Sequence, residues 1–101
     1  MSSQRRLIWL TEALIDLNRL RDFVWVNNPT AATKAAKRIL DVANKLTAHP
    51  LLGRPVTNID HPQFRDFFIP FGKAGYVLRY TVTDDAVILV KIWHSRENRT
   101  L

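Results

Sequence analysis

No cysteine occurs in these 101 residues, which excludes disulfides and thiolate metal sites and makes a reducing cytoplasm the expected setting. Glycine is scarce, three residues against five prolines, so the chain is neither collagen-like nor a low-complexity tail. Long apolar runs are missing too. The longest stretch without Asp, Glu, Lys or Arg is Phe23 to Thr33, far below the ~18 apolar residues of a membrane span. The N-terminal Met-Ser-Ser-Gln-Arg-Arg is followed by Leu7-Ile8-Trp9 and then Glu12, too little apolar chain for a secretory signal. Acidic residues are outnumbered, nine against fifteen Lys and Arg. The resulting net charge of +6 points to an anionic partner, nucleic acid or an acidic protein segment. Residues 1–50 carry eight basic and four acidic side chains and residues 51–101 carry seven and five, so the charge is not a basic tail.

What is present is an ordinary globular composition, 47% hydrophobic and 24% charged. This predicts a single domain over residues 1–101 with one core, shallow grooves and no buried cofactor. Leu7-Ile8-Trp9 is a short strand candidate, and Thr11 is placed to cap a helix. Ala13, Leu17, Leu20 and Val24 recur at helical spacing, with Glu12, Asp16, Arg19 and Asp22 largely on other faces. Asn28 and Pro29 end that helix and open a second one, carrying Ala32, Ala36, Ile39, Ala43 and Leu46 on its apolar face. The two must fold back as a hairpin. Pro50 to Pro62 reads as an irregular loop.

From Arg65 the pattern changes to strands: Arg65 to Phe71, Tyr76 to Thr83 and Val87 to Trp93. Gly72 to Gly75 and Asp84-Asp85 connect them, short enough to impose an antiparallel meander. Val87 to Val90 is apolar on both faces and predicts a central strand covered on each side. The fold class is therefore α+β, in the order β-α-α-β-β-β, with a helical hairpin on one face of a small, mainly antiparallel sheet.

The three histidines, His49, His61 and His94, lack the i, i+3 or i+4 spacing of paired metal ligands, so no metal site is expected. His94 and Ser95 are strand neighbours that point to opposite faces and cannot form a dyad. Hydrolase elbows and phosphate-cradling loops have no matching motif. The arginines of the second half, Arg65, Arg79, Arg96 and Arg99, are candidates for binding phosphate or carboxylate through their planar forks. Arg79 should share a face with Val77 and Thr81, opposite Tyr76, Leu78 and Tyr80. Trp9 and Trp93 are expected in the core, and Trp25, off the main stripe of its helix, is expected to face a partner.

Pro29-Thr30-Ala31-Ala32, His49-Pro50-Leu51-Leu52-Gly53-Arg54, Tyr76-Val77-Leu78-Arg79-Tyr80 and Ile92-Trp93-His94-Ser95-Arg96-Glu97, in this order and spacing, resemble the RelE/ParE superfamily of bacterial toxins over nearly the whole chain. The resemblance implies the toxin half of a type II toxin–antitoxin module, which causes growth arrest and is neutralised by a small cognate antitoxin, ParD-like or similar. One branch of the superfamily cleaves mRNA in the ribosomal A site through basic and tyrosine side chains on the sheet. The other poisons DNA gyrase.

Against the ribonuclease pattern, Phe68 and Pro70 stand where lysines are looked for and Val77 replaces an arginine. The C-terminal tyrosine is absent from residues 94–101, and Arg96 alone matches. None of the replacements can move a proton or hold a phosphate. The His-Ser-Arg-Glu ending is closer to the His-Xaa-Arg-Arg type of the gyrase-directed branch, although Glu97 replaces a base. The resemblance thus implies a gyrase inhibitor, with Arg65, Arg79, His94, Arg96 and Arg99 toward the target. The alternative is a ribosome-dependent mRNA endoribonuclease using His94 and Arg96. Arg5, Arg6, Arg19, Trp25 and Arg38 are expected to face an acidic antitoxin segment. A freestanding DNA-binding module is disfavoured, because no helix is strongly basic along one face; operator DNA is expected to be reached only through the antitoxin.

Overall fold

In the computed structural model, which describes residues 5–57 and 63–97 and gives the backbone alone for 23–27, the alternating second half of the chain forms three long strands. The elements are β1 (Arg6–Trp9), α1 (Thr11–Asn27), α2 (Pro29–Ala48), β2 (Arg54–Pro55), β3 (Phe64–Phe71), β4 (Ala74–Val82) and β5 (Ala86–His94). They build one sheet of order β1-β5-β4-β3-β2. β1 runs parallel to β5 and every other pairing is antiparallel. The short connections from β3 to β5 permit only a meander, whereas β1 reaches its parallel place through the helical hairpin, as a crossover requires.

The predicted connector at 72–75 is half as long in the fold. Gly72, at φ 63°, and Lys73 form a two-residue turn between Phe71 and Ala74. Glycine supplies the positive φ that such hairpin turns need. Ala74 and Gly75 belong to β4, and Gly75 is pressed so closely that a Cβ there would lie 2.4 Å from the Ile69 carbonyl oxygen. The loop after α2, predicted irregular, contributes the edge strand β2. Two residues, one of them proline, give no periodicity to read, and proline is tolerated at an edge where an amide donor is not needed.

The helices cover one face of the sheet. Asn28 caps α2, its Oδ1 accepting from the Ala31 N–H at 3.1 Å, and Pro29 fills the first helical position. Ala35, Ile39, Ala43 and Leu46 are buried in one cluster with Ala13 and Leu20 of α1 and with Ile69, Tyr76, Leu78, Tyr80, Val87, Leu89 and Ile92 of the sheet, and Ala32 is buried as well. Ala36, expected on that face, is half-buried at its margin. Each buried Leu or Ile contributes about 1.5–3 kcal/mol, and the small alanines let α2 approach closely. Thr11 lies inside the first turn of α1 rather than capping it, because the Leu10 carbonyl already accepts from the Leu14 N–H at 3.1 Å.

β5 is interior to the sheet, as expected, but is covered on one side. Val87 and Leu89 are buried while Ile88 and Val90 are half-exposed. The register shift between Arg79 and Tyr80 leaves Val90 unpaired, a bulge that reverses the alternation so that Ile92 returns to the helix side. β1 ends at Trp9 opposite Leu89, so the Ile92 amide lacks a strand on that side. Asp16 replaces it: its carboxylate accepts from the Ile92 N–H at 3.0 Å. Asp16, read from the sequence as a polar-face residue, is therefore buried.

Candidate functional site

The face of the sheet away from the helices is set by register. Asp66 pairs with Arg79, and Phe68 with Val77, which in turn pairs with Trp93. Arg79 shares this side with Val77 and Thr81, as the alternation predicts, but it is not offered to a ligand. Its Nε and Nη2 donate to the two oxygens of Asp66 at 2.7 and 2.8 Å, and its guanidinium lies 5.1 Å from the Trp93 ring centre. It is 4% exposed. The fork is used inside the protein, a bidentate, charge-assisted pair stacked on an aromatic ring. Trp93, expected in the core, is this half-buried platform instead.

Arg65 is likewise engaged within the chain. It pairs with Tyr80 across the strands, and its Nη1 donates to the Gly53 carbonyl at 2.6 Å. The Tyr80 hydroxyl accepts from the Gly53 N–H at 2.8 Å and donates to the Pro50 carbonyl at 2.7 Å. Burial pushes the Tyr80 hydroxyl above the usual tyrosine pKa, opposed by the Gly53 hydrogen bond and the nearby Arg65 charge. These bonds clamp the loop after α2, which presents Leu51 and Leu52 to solvent. Beside it a groove of about 690 Å³ is lined by Leu52, Arg54, Pro55, Phe68 and Val77 among others. Phe68 is 49% exposed there.

A second group forms where β5 ends. His94 packs edge-on against Tyr76, ring centres 5.4 Å apart, and its Nδ1 accepts from the Arg96 backbone N–H at 3.1 Å. In the neutral ring the proton then sits on Nε2, which can donate but not accept. Glu97 accepts from the His94 backbone N–H at 2.7 Å and from Arg19 at 2.8 and 3.4 Å. Arg19 also lies 3.6 Å from Asp16. Arg19, Leu20, His94, Arg96 and Glu97 line a pocket of about 410 Å³. Ser95 is turned away from His94, its Oγ accepting from the Gly75 N–H at 3.2 Å, so the two form no dyad.

The residues expected to face an antitoxin separate to two ends of the sheet. Arg5 donates to the Thr83 carbonyl at 2.8 Å and Arg6 lies 3.8 Å from Asp85, both at the β4–β5 turn. Arg19 is at the far end with Glu97. Arg38 is there too, donating to the Pro70 carbonyl at 2.9 Å and standing 5.7 Å from the Phe71 ring centre. The Trp25 side chain and all of Arg99 lie outside the described residues, as does His61. Among the described residues no three His, Asp or Glu are grouped to hold a metal, and no helix is long and apolar enough to cross a membrane. The Asp66–Arg79 pair and the Arg19–Glu97 contact escaped the sequence reading. The first has a local signal, since both residues stand six positions from the Gly72–Lys73 turn.

Known proteins give this geometry its setting. A family model described as the ParE toxin of the type II toxin–antitoxin system parDE matches residues 7–99. Toxin RelE3 of Caulobacter vibrioides is 39% identical over 84 residues, 83% of this chain and 87% of that protein. Toxin RelE1 of the same organism is 34% identical over 84 residues, 83% and 86% of the two chains. Among solved structures, the chromosomal ParDE toxin–antitoxin system from P. aeruginosa matches with a TM-score of 0.73 at 22% identity, over 94% of this chain and 100% of that one. The toxin–antitoxin complex RelBE2 from Mycobacterium tuberculosis matches with a TM-score of 0.61 at 21% identity, over 91% and 99%. At such identities the two structures speak for the α+β fold. The match from Leu7 onward and the relatives above 30% identity speak for descent, and the chain belongs to the ParE toxin family of type II toxin–antitoxin systems, within the RelE/ParE superfamily.

Proposed function

We propose that this toxin arrests growth by binding DNA gyrase in the cytoplasm and that a cognate antitoxin with an acidic segment neutralises it. The observation that carries the reading is the open sheet face. A ribonuclease needs groups there that move protons and hold a phosphate. Here Phe68 and Val77 form an apolar surface and the Arg79 fork is spent on Asp66. Such a face suits contact with a protein, because an exposed aromatic beside a groove can anchor in a partner. The family model spanning residues 7–99 supports the same branch.

A second reading, a ribosome-dependent mRNA endoribonuclease, is favoured by His94 and Arg96 lining one pocket. It is opposed by the His94 Nδ1, which already accepts a backbone N–H and so is not free to act as a general base. The deciding experiment follows labelled thymidine and labelled amino-acid incorporation in the first minutes after inducing the toxin without antitoxin. DNA synthesis stopping first is expected, followed by inhibition of supercoiling by purified gyrase. Translation stopping first, with mRNA cleavage lost in His94→Ala or Arg96→Ala, would overturn the gyrase reading.

A further inference from the structure

We infer that the pocket at the end of β5 is a seat for a carboxylate side chain of the antitoxin, occupied by the toxin's own Glu97 until the antitoxin arrives. The inference rests on the reading that an acidic antitoxin segment is the partner. The seat is defined by what Glu97 already shows. Its carboxylate receives two bonds from the Arg19 fork, at 2.8 and 3.4 Å, and a third from the His94 backbone N–H at 2.7 Å. A planar fork opposite two oxygens, with an amide donor at one of them, is the recognition geometry of a carboxylate.

The charges around the seat favour an acidic visitor. Arg96 lines the pocket with its guanidinium in no ion pair among the described residues, and the His94 ring lines it as well, its Nδ1 held by the Arg96 backbone N–H so that the remaining Nε2–H is a donor. Asp16, the other carboxylate near Arg19, is committed to the Ile92 amide. Buried Leu20 provides an apolar wall, so the matching segment carries an aliphatic residue next to its Asp or Glu. The resident is also replaceable. Arg19 and Glu97 are 41% and 31% exposed in their side chains, and a pair so open to water gains little over solvation. An incoming carboxylate that brings further contacts along the chain displaces it.

The test measures affinity of the purified toxin for its cognate antitoxin in wild type, Glu97→Gln, Arg19→Gln and the double variant. Glu97→Gln keeps an oxygen for the His94 amide while removing the competing charge, so the turn stays folded; unchanged thermal melting checks this. Binding about tenfold tighter is expected, as for loss of one charge-assisted competitor. Arg19→Gln should weaken binding about tenfold, and in the double variant the Glu97→Gln gain should vanish, because no fork remains to compete for. Unchanged or weaker binding by Glu97→Gln, or a gain that persists without Arg19, would overturn the seat while leaving the antitoxin reading intact. A wild-type toxin that does not bind the antitoxin overturns both. Tighter inhibition of gyrase by Glu97→Gln with antitoxin affinity unchanged would assign the pocket to the target instead.

Discussion

Tyr80 shows how much one side chain does in a domain of this size. Its hydroxyl is both donor and acceptor to the loop after α2, at Pro50 and Gly53. Tyr80→Phe keeps the ring but leaves those two backbone groups without their partner. It should cost about 1–3 kcal/mol in urea unfolding. Gly53→Ala attacks the same clamp from the other side, because its Cβ would lie 2.6 Å from the Tyr80 oxygen. Burial raises the pKa of both Tyr76 and Tyr80 above 10.0. The unfolded chain therefore releases these protons first as pH rises. Their stabilisation is whole below pH 10.0, the unfolded value, and is lost as pH climbs through it toward the folded values. Alkaline unfolding monitored by circular dichroism should show this loss, and Tyr76→Phe or Tyr80→Phe should flatten it. Arg79 is a third such residue. Arg79→Ala strands Asp66 in a partly buried place, and because Asp66 keeps 27% of its side-chain exposure, a loss of about 2–3 kcal/mol is expected, toward the lower end for a broken buried pair. Loss of toxicity in that variant should therefore be read beside its melting curve. The double variant with Asp66→Ala should recover part of the stability if the stranded charge is the cause.

At the scale of elements, the start of α2 is the cleanest case, since Asn28 and Pro29 are adjacent in sequence and the cap they form is local. Asn28→Ala should cost about 1 kcal/mol by urea unfolding, a cost that Asn28→Ser should largely avoid. Local chemistry of this kind is what made α1, α2 and the three long strands legible. What was not legible depends on chain distant in sequence. β2 exists because β3 offers Asp66 and Arg65 as ladder partners to Arg54 and Pro55, and nothing within two residues announces that. Asp16 is buried because β1 stops short of Ile92, a fact of sheet geometry rather than of helix periodicity. The Asp66–Arg79 pair was one step from being readable. A four-residue connector at 72–75 sets Phe71 against Tyr76, whereas the turn at Gly72–Lys73 sets Ile69 against Tyr76 and Asp66 against Arg79. A shift of two residues keeps the faces and changes every partner. Thus the arginines could be assigned to faces from the alternation, but not to the partners that occupy them.

For the whole molecule, a helical layer covers one face of the sheet and leaves the other open, the face that the proposed gyrase contact would use. On that side Phe68 is 49% exposed and shares a groove with Leu52, 45% exposed, while Leu51, 68% exposed, stands beside Leu52 on the same loop, in a chain whose net charge of +6 favours acidic partners. The apolar residues stand on rigid supports, Leu51 and Leu52 on the loop clamped by Tyr80 and Arg65, Phe68 on a central stretch of β3. Rigid presentation lowers the entropy lost on docking, which is how a few exposed side chains come to dominate an interface. Phe68→Ser should therefore raise the toxin concentration needed for half-inhibition of gyrase supercoiling by about tenfold or more, while changing folding stability by no more than about 0.5 kcal/mol. The same variant should keep its affinity for the antitoxin, whose carboxylate seat lies at the end of β5 and not on this face. Full inhibition by Phe68→Ser, with inhibition lost in His94→Ala or Arg96→Ala, would move the gyrase contact to the end of β5. Target and antitoxin would then compete for one pocket, and neutralisation would be direct occlusion rather than capture at a separate surface.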